Sequence, residues 1–170
     1  MIILGIDPGT ATTGFGAIQK KSNKLSLVDY GCINTQPTFT MPDRLYKIFL
    51  ETKKLIKKYH PHILACEELF FFKNLKTAIS VSQARGAILV AACASNIPIV
   101  GYTPLEIKQA LTGFGRATKP QIQKMVKVLL DLDNIPKPDD AADALAIAIC
   151  HANSKKMKNL KAVKLKPKFK

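Results

Sequence analysis

The period of the apolar positions changes repeatedly along this chain, and each change marks an element. Ile2-Ile3-Leu4-Gly5-Ile6 is an unbroken apolar run ending on Asp7, the pattern of a strand covered on both faces. Pro8-Gly9-Thr10 supplies the turn after it. Residues 14–18 and 25–35 read as two further strands joined by the polar stretch 20–24, a connection short enough to predict antiparallel hairpins. From Met41 the spacing becomes helical, with Leu45, Ile48, Phe49, Leu55 and Ile56 on one side and lysines on the other. Thr40 is the expected N-cap, Pro42 lies in the first turn, and Tyr59-His60-Pro61 ends the helix.

A second apolar run, residues 63–66, ends on Glu67 and reads as a fourth strand. The stretch Leu69-Phe70-Phe71-Phe72-Lys73-Asn74 leads into a long helix over 75–95 that is rich in small residues, among them Ala84, Gly86 and Ala91. Residues 99–102 form a short strand, and Thr103-Pro104 opens a helix to about Leu111. A glycine-containing loop over 113–119, a helix over 120–132, a linker with two prolines over 134–139 and a last helix over 140–152 complete the chain. Early antiparallel strands followed by crossover units predict an α/β domain: a mixed five-stranded sheet flanked by helices on both faces. No internal repeat is present.

Composition narrows the class. With 47% apolar residues, the 170-residue chain has enough for one ordinary core, so one domain over 1–153 is expected. Residues 154–170, lysine-rich and free of acids, are expected to be a disordered basic tail. The formal net charge is +14, and residues 1–154 alone still hold 18 basic against 12 acidic residues, which favours a polyanionic partner. Cys32, Cys66, Cys93 and Cys150 match no C-x-x-C spacing and read as reduced buried thiols. With no secretory n-region and no apolar stretch near ~20 residues, a cytoplasmic protein without a membrane span is expected. His60, His62 and His151 lack zinc spacing with the cysteines and read as surface residues.

Against this basic background four carboxylates need a reason. Asp7 and Glu67 end apolar runs, where α/β folds tend to place their sites. Asp140 and Asp143 lie three apart and so share one face of the last helix. Each has an ordinary structural explanation: a turn-former before Pro8-Gly9, a solvated strand end beside Glu68, an N-cap or a partner of the helix dipole. If the four converge, they would repel one another unless a divalent cation neutralised them. An all-oxygen donor set favours Mg²⁺ or Mn²⁺ over zinc, and two such ions suit an in-line phosphoryl displacement.

The ordered set Ile6-Asp7-Pro8-Gly9-Thr10, Thr13-Gly14-Phe15-Gly16, Glu67-Glu68-Leu69-Phe70 with Lys73-Asn74, Gln83-Ala84-Arg85-Gly86 and Asp140-Ala141-Ala142-Asp143-Ala144-Leu145-Ala146 resembles the bacterial RuvC Holliday-junction resolvases over roughly residues 2–153. The resemblance implies a ribonuclease-H-like fold and a homodimer that resolves four-way DNA junctions by paired symmetric nicks, in recombination and repair. It also implies Mg²⁺, two ions per active site with Mn²⁺ able to substitute, and work beside a branch-migration motor. The family's catalytic and metal-binding carboxylates fall on Asp7, Glu67, Asp140 and Asp143. Phe70 matches an aromatic that stacks on an unpaired base, and Lys108 and Lys119 match basic residues near the cleaved strand. Ser82 stands where a Gly is common, and Phe71 and Phe72 leave open which ring reaches DNA.

The residues support part of this independently. Residues 104–130 hold Lys108, Arg116, Lys119, Lys124 and Lys127 against Glu106 alone, a plausible phosphate-contact surface, and Lys73 and Asn74 flank the aromatic cluster. Two other readings stay open. An actin-like or sugar-kinase-type ATPase also begins with a strand, an acid and a Gly-Thr turn, although such enzymes need a second domain. A non-catalytic junction-binding protein would use the charge and the phenylalanines without metal-dependent cleavage.

Overall fold

The computed structural model describes residues 1–68 and 75–154. Phe70, Lys73, Asn74, their neighbouring phenylalanines and the basic tail beyond Ser154 lie outside the described residues. Ten elements follow in order: β1 (Ile2–Asp7), β2 (Thr12–Lys21), β3 (Lys24–Asn34), α1 (Met41–Tyr59), β4 (Ile63–Glu67), α2 (Leu75–Ala94), β5 (Ile99–Tyr102), α3 (Pro104–Thr112), α4 (Lys119–Leu129) and α5 (Asp139–Asn153). The expected element types and order all recur.

The strands form one mixed five-stranded sheet in the order β3-β2-β1-β4-β5. β1 pairs antiparallel with β2, and β2 with β3, as the short connections require; β1–β4 and β4–β5 are parallel. Alternation along β1 and β4 sends Leu4, Ile6, Leu64 and Cys66 to the face covered by α1 and α2, through Ile48, Ile56, Ala84 and Ile88. It sends Ile3, Ile63 and Ala65 to the other face, covered by α3, α4 and α5. Both faces are thus sealed, which is why β1 and β4 read as unbroken apolar runs.

Element ends follow their caps. Thr40 accepts from the Asp43 N–H at the start of α1, and His60 ends it at φ 47°, where its N–H bonds to the Ile56 carbonyl. Thr103 and Glu106 form a reciprocal capping box on α3. Strand β2 runs from 12 to 21, longer than the 14–18 expected, because its polar end pairs with β3 through Lys21 and Lys24 and closes the hairpin tightly at Ser22. Helix α4 stops at Leu129 instead of 132: Leu130 turns into the core and Asp131 takes a left-handed φ of 53°.

His151 corrects an expectation. Instead of lying on the surface after the last helix, it sits inside α5 at 0% exposure, with Nδ1 2.8 Å from the Tyr102 hydroxyl. Residues 144–152 of α5 are all buried, and that burial drives the His151 pKa down to about 4, with Lys20 adding to the effect. Cys66 and Cys150 are buried, whereas Cys32 and Cys93 are only half-buried; none of the four is joined in a disulfide. Among the described residues no helix is long and apolar enough to cross a membrane.

Candidate active site

Parallel pairing brings the first two carboxylates together. Ile6 lies opposite Cys66 in the β1–β4 register, so Asp7 and Glu67 follow side by side at the carboxyl edge of the sheet. Two-residue alternation, Ile3-Gly5-Asp7 and Ile63-Ala65-Glu67, points both toward the face that α5 covers. Glu68 is one residue out of phase and exposed; its carboxylate lies over Gly101 of β5.

The backbone on either side is pinned. The Thr13 hydroxyl donates to the Gly9 carbonyl at 2.6 Å, and the Thr35 hydroxyl donates to the Thr10 carbonyl at 2.6 Å, which holds the turn after Asp7. Nε of Arg85, from α2, donates to the Glu67 carbonyl at 3.0 Å and ties down the end of β4.

Helix α5 supplies the other two. Its N-cap is Pro138 and no side chain caps it, so Asp140 is not the N-cap that local pattern allowed. Gly14 is the cross-strand partner of Asp7, and a Cβ built there would lie 2.0 Å from the Asp140 carbonyl oxygen. Further along, a Cβ on Gly5 would lie 2.2 Å from the Ala144 carbonyl oxygen. These glycines let the helix backbone rest directly on the sheet, which sets Asp140 beside Asp7. Asp7, Glu67 and Asp143 line one cleft of about 200 Å³ with Lys108 and Lys119; Ile107 and Ile122 form its apolar wall. Asp140 does not line it, but its charge helps to raise the pKa of Asp7.

Crowding these acids has an electrostatic cost. Burial, followed by the charges of Glu67, Asp143 and Asp140, pushes Asp7 from 3.8 up to about 8. Burial and the charge of Asp143 raise Glu67 as well. Lys119 answers part of the repulsion, with Nζ 2.8 Å from Asp143 Oδ2 and 3.7 Å from Asp139 Oδ2. Its own pKa is raised, first by the hydrogen bond to Asp143.

A stability effect follows with a definite sign. Between its unfolded value near 3.8 and its folded value of about 8, Asp7 keeps a proton that the unfolded chain has lost. Folding stability therefore falls as pH rises through that window. Chelator-treated protein should lose roughly 3–5 °C in Tm between about pH 6 and pH 8, and Asp7→Asn should flatten that slope. Scanning calorimetry across the window checks this; an unchanged slope in the variant would count against Asp7 as its source.

The donor set fits a hard divalent cation: every candidate ligand is a carboxylate oxygen, and their repulsion is what such an ion would relieve. Among the described residues no group of three ligating side chains is already gathered around one point; the Lys119 ammonium lies against Asp143. Of the other expected site residues, Lys108 lines the cleft and Arg116 is exposed on the loop between α3 and α4. Phe70, Lys73 and Asn74 fall outside the described residues. The sequence assigned no role to Gly5, Gly14 or Arg85; for the glycines, the placement of Gly5 two residues before Asp7 and the pair Gly14-x-Gly16 were the available signal.

The chain is similar to known proteins over nearly its whole length. The family model described as "Crossover junction endodeoxyribonuclease RuvC" matches residues 3–151. The protein of that name from Desulfitobacterium hafniense is 57% identical over 159 residues, covering 94% of this chain and 96% of its own. Thermus thermophilus RuvC superposes with a TM-score of 0.85 at 35% identity, covering 93% of this chain and 97% of its own. The same protein in complex with Holliday junction substrate gives 0.83 at 33% identity, covering 92% and 96%. The fold is ribonuclease-H-like, as the resemblance implied.

Proposed function

We infer that this chain, which belongs to the RuvC family of crossover junction endodeoxyribonucleases, resolves four-way (Holliday) DNA junctions by paired symmetric nicks during recombination and repair. One observation carries the reading: three of the four motif carboxylates line a single cleft whose other polar walls are lysines. Carboxylates alone repel a phosphodiester, so the cleft suits a polyanion only with added positive charge.

Asp7, Glu67, Asp140 and Asp143 would hold Mg²⁺, two ions per site, with Mn²⁺ able to take its place. Bound there, the metal supplies an activated water and neutralises charge on the attacking and leaving oxygens. The chain's own residues do the rest. Asp7 and Glu67 are held by the sheet edge, and Asp140 and Asp143 by a helix whose backbone rests directly on Gly14 and Gly5. Ile107 and Ile122 keep one wall dry, which strengthens each charge in the cleft. Lys108 and Lys119 face the scissile phosphate, and Arg116 contacts the backbone further out. Phe70, with Lys73 and Asn74 beside it, contacts the opened crossover by stacking.

Paired nicks need two sites, which a homodimer supplies. Helix α2 supports such a pairing: Ile79 and Val90 are 63% and 59% exposed, and a Cβ on Gly86 between them would meet nothing within 4 Å. Work in the cytoplasm beside a branch-migration motor belongs to the same reading, which rests there on resemblance. The ATPase alternative draws no support from a family model that covers residues 3–151.

The test is to incubate the protein with a labelled mobile four-way junction and a linear duplex of the same sequence, with Mg²⁺ or with chelator. Symmetric nicks on the junction alone, dependent on Mg²⁺, are expected. Equal cutting of the duplex would remove the junction assignment, and nicking in chelator would remove the metal.

A further inference from the structure

Lys119 stands in an unfavourable place for a cation. It is the first residue of α4, where the partial positive charge of a helix N-terminus opposes an ammonium group. Its side chain is 51% exposed, so open water is available to it. Instead Nζ reaches across to α5, 2.8 Å from Asp143 Oδ2, with Asp139 Oδ2 at 3.7 Å. Asp139 lies outside the four-carboxylate set and is also held by Lys137 at 2.9 Å. The contact with Asp143 is therefore the one that Lys119 shares with the proposed metal site. A divalent ion would need that oxygen at ~2.0–2.1 Å, and an ammonium beside it would repel the ion.

We propose that Lys119 is a displaceable counter-ion that couples DNA binding to metal binding. In the free protein it neutralises Asp143. When a DNA backbone phosphate enters the cleft, the ammonium moves to that phosphate and Asp143 becomes available to the cation. Metal then binds weakly before DNA and more tightly after it. The coupling is reciprocal, so the cation also raises affinity for DNA. This rests on the reading that the carboxylates hold the metal.

The experiment measures Ca²⁺ affinity of the full chain by calorimetry, and junction affinity by anisotropy at fixed ionic strength with and without Ca²⁺. Wild type, Lys119→Met and Lys108→Met are compared after circular dichroism confirms that each is folded. Lys108→Met removes the other lysine that lines the cleft. Lys119→Met is expected to bind Ca²⁺ about three- to tenfold more tightly than wild type without DNA, the range set by one partly exposed ion pair near a buried site. It is also expected to lose most of the Ca²⁺-dependent gain in junction affinity. Unchanged or weaker Ca²⁺ binding by Lys119→Met overturns the proposal. So does an equal gain in Lys108→Met, which would make the effect one of general charge. An Asp143→Asn variant separates the two readings: if it binds Ca²⁺ as wild type does, the metal assignment itself fails.

Discussion

Asp7→Asn is expected to lower the rate of junction cleavage by at least ~10³-fold, on the order of 4 kcal/mol in barrier, while junction affinity stays within a few-fold. Asp7 is the carboxylate on which the others act: burial, Glu67, Asp143 and Asp140 all raise its pKa, so it lies at the centre of the repulsion a cation would relieve. Asparagine is nearly isosteric, and the pinned turn after Asp7 depends on Thr13 and Thr35, not on the carboxylate. The fold should therefore persist, and the variant should be more stable than wild type near pH 8, because it drops a buried acid charge. Single-turnover cleavage, anisotropy binding and calorimetry on one preparation check all three. Cleavage close to the wild-type rate would displace Asp7 from the mechanism.

Gly14→Ala is expected to have the second largest effect, about 10²-fold on cleavage, together with a loss of several degrees in Tm. The added methyl would sit 2.0 Å from the Asp140 carbonyl oxygen and 3.2 Å from the Ala141 nitrogen. Both are backbone atoms, so no side-chain rotation relieves the clash and α5 must lift from the sheet. That movement carries Asp140 and Asp143 away from Asp7, whose β-sheet partner is Gly14 itself. Gly31→Ala is the matched control: its methyl would meet the edge of the Phe15 ring at 3.0 Å, a side chain able to shift, and cleavage should stay within a few-fold of wild type. Equal rates for both variants would show that the close helix–sheet approach does not position the site.

Much of the fold was legible in local pattern. The runs that end on Asp7 and Glu67 declared buried strands because both sheet faces are covered, and Thr40 and Thr103 announced their helices through capping chemistry. Failures came where a residue's neighbours are remote in sequence. His151 looked like a helix-end surface residue, yet its environment is set by Tyr102, 49 positions away. Glu67 was chosen over Glu68 because it ends the apolar run, but only the β1–β4 register shows that it lies beside Asp7. The roles of Arg85 and Gly14 depend on a hydrogen bond and a close contact that no short-range rule reports.

The amino-acid sequence alone determined the elements, their order and the basic balance, and it singled out four carboxylates as candidates, because hydrophobic period, turn chemistry and motif spacing are properties of neighbouring residues. Tertiary structure decided which carboxylates share a cleft, how far their charges disturb one another, and that Lys119 answers Asp143 across two helices. Those outcomes depend on distances between residues as remote in sequence as Asp7 and Asp143, and electrostatic coupling rises steeply only once packing has brought such groups within a few ångströms in a poorly solvated site.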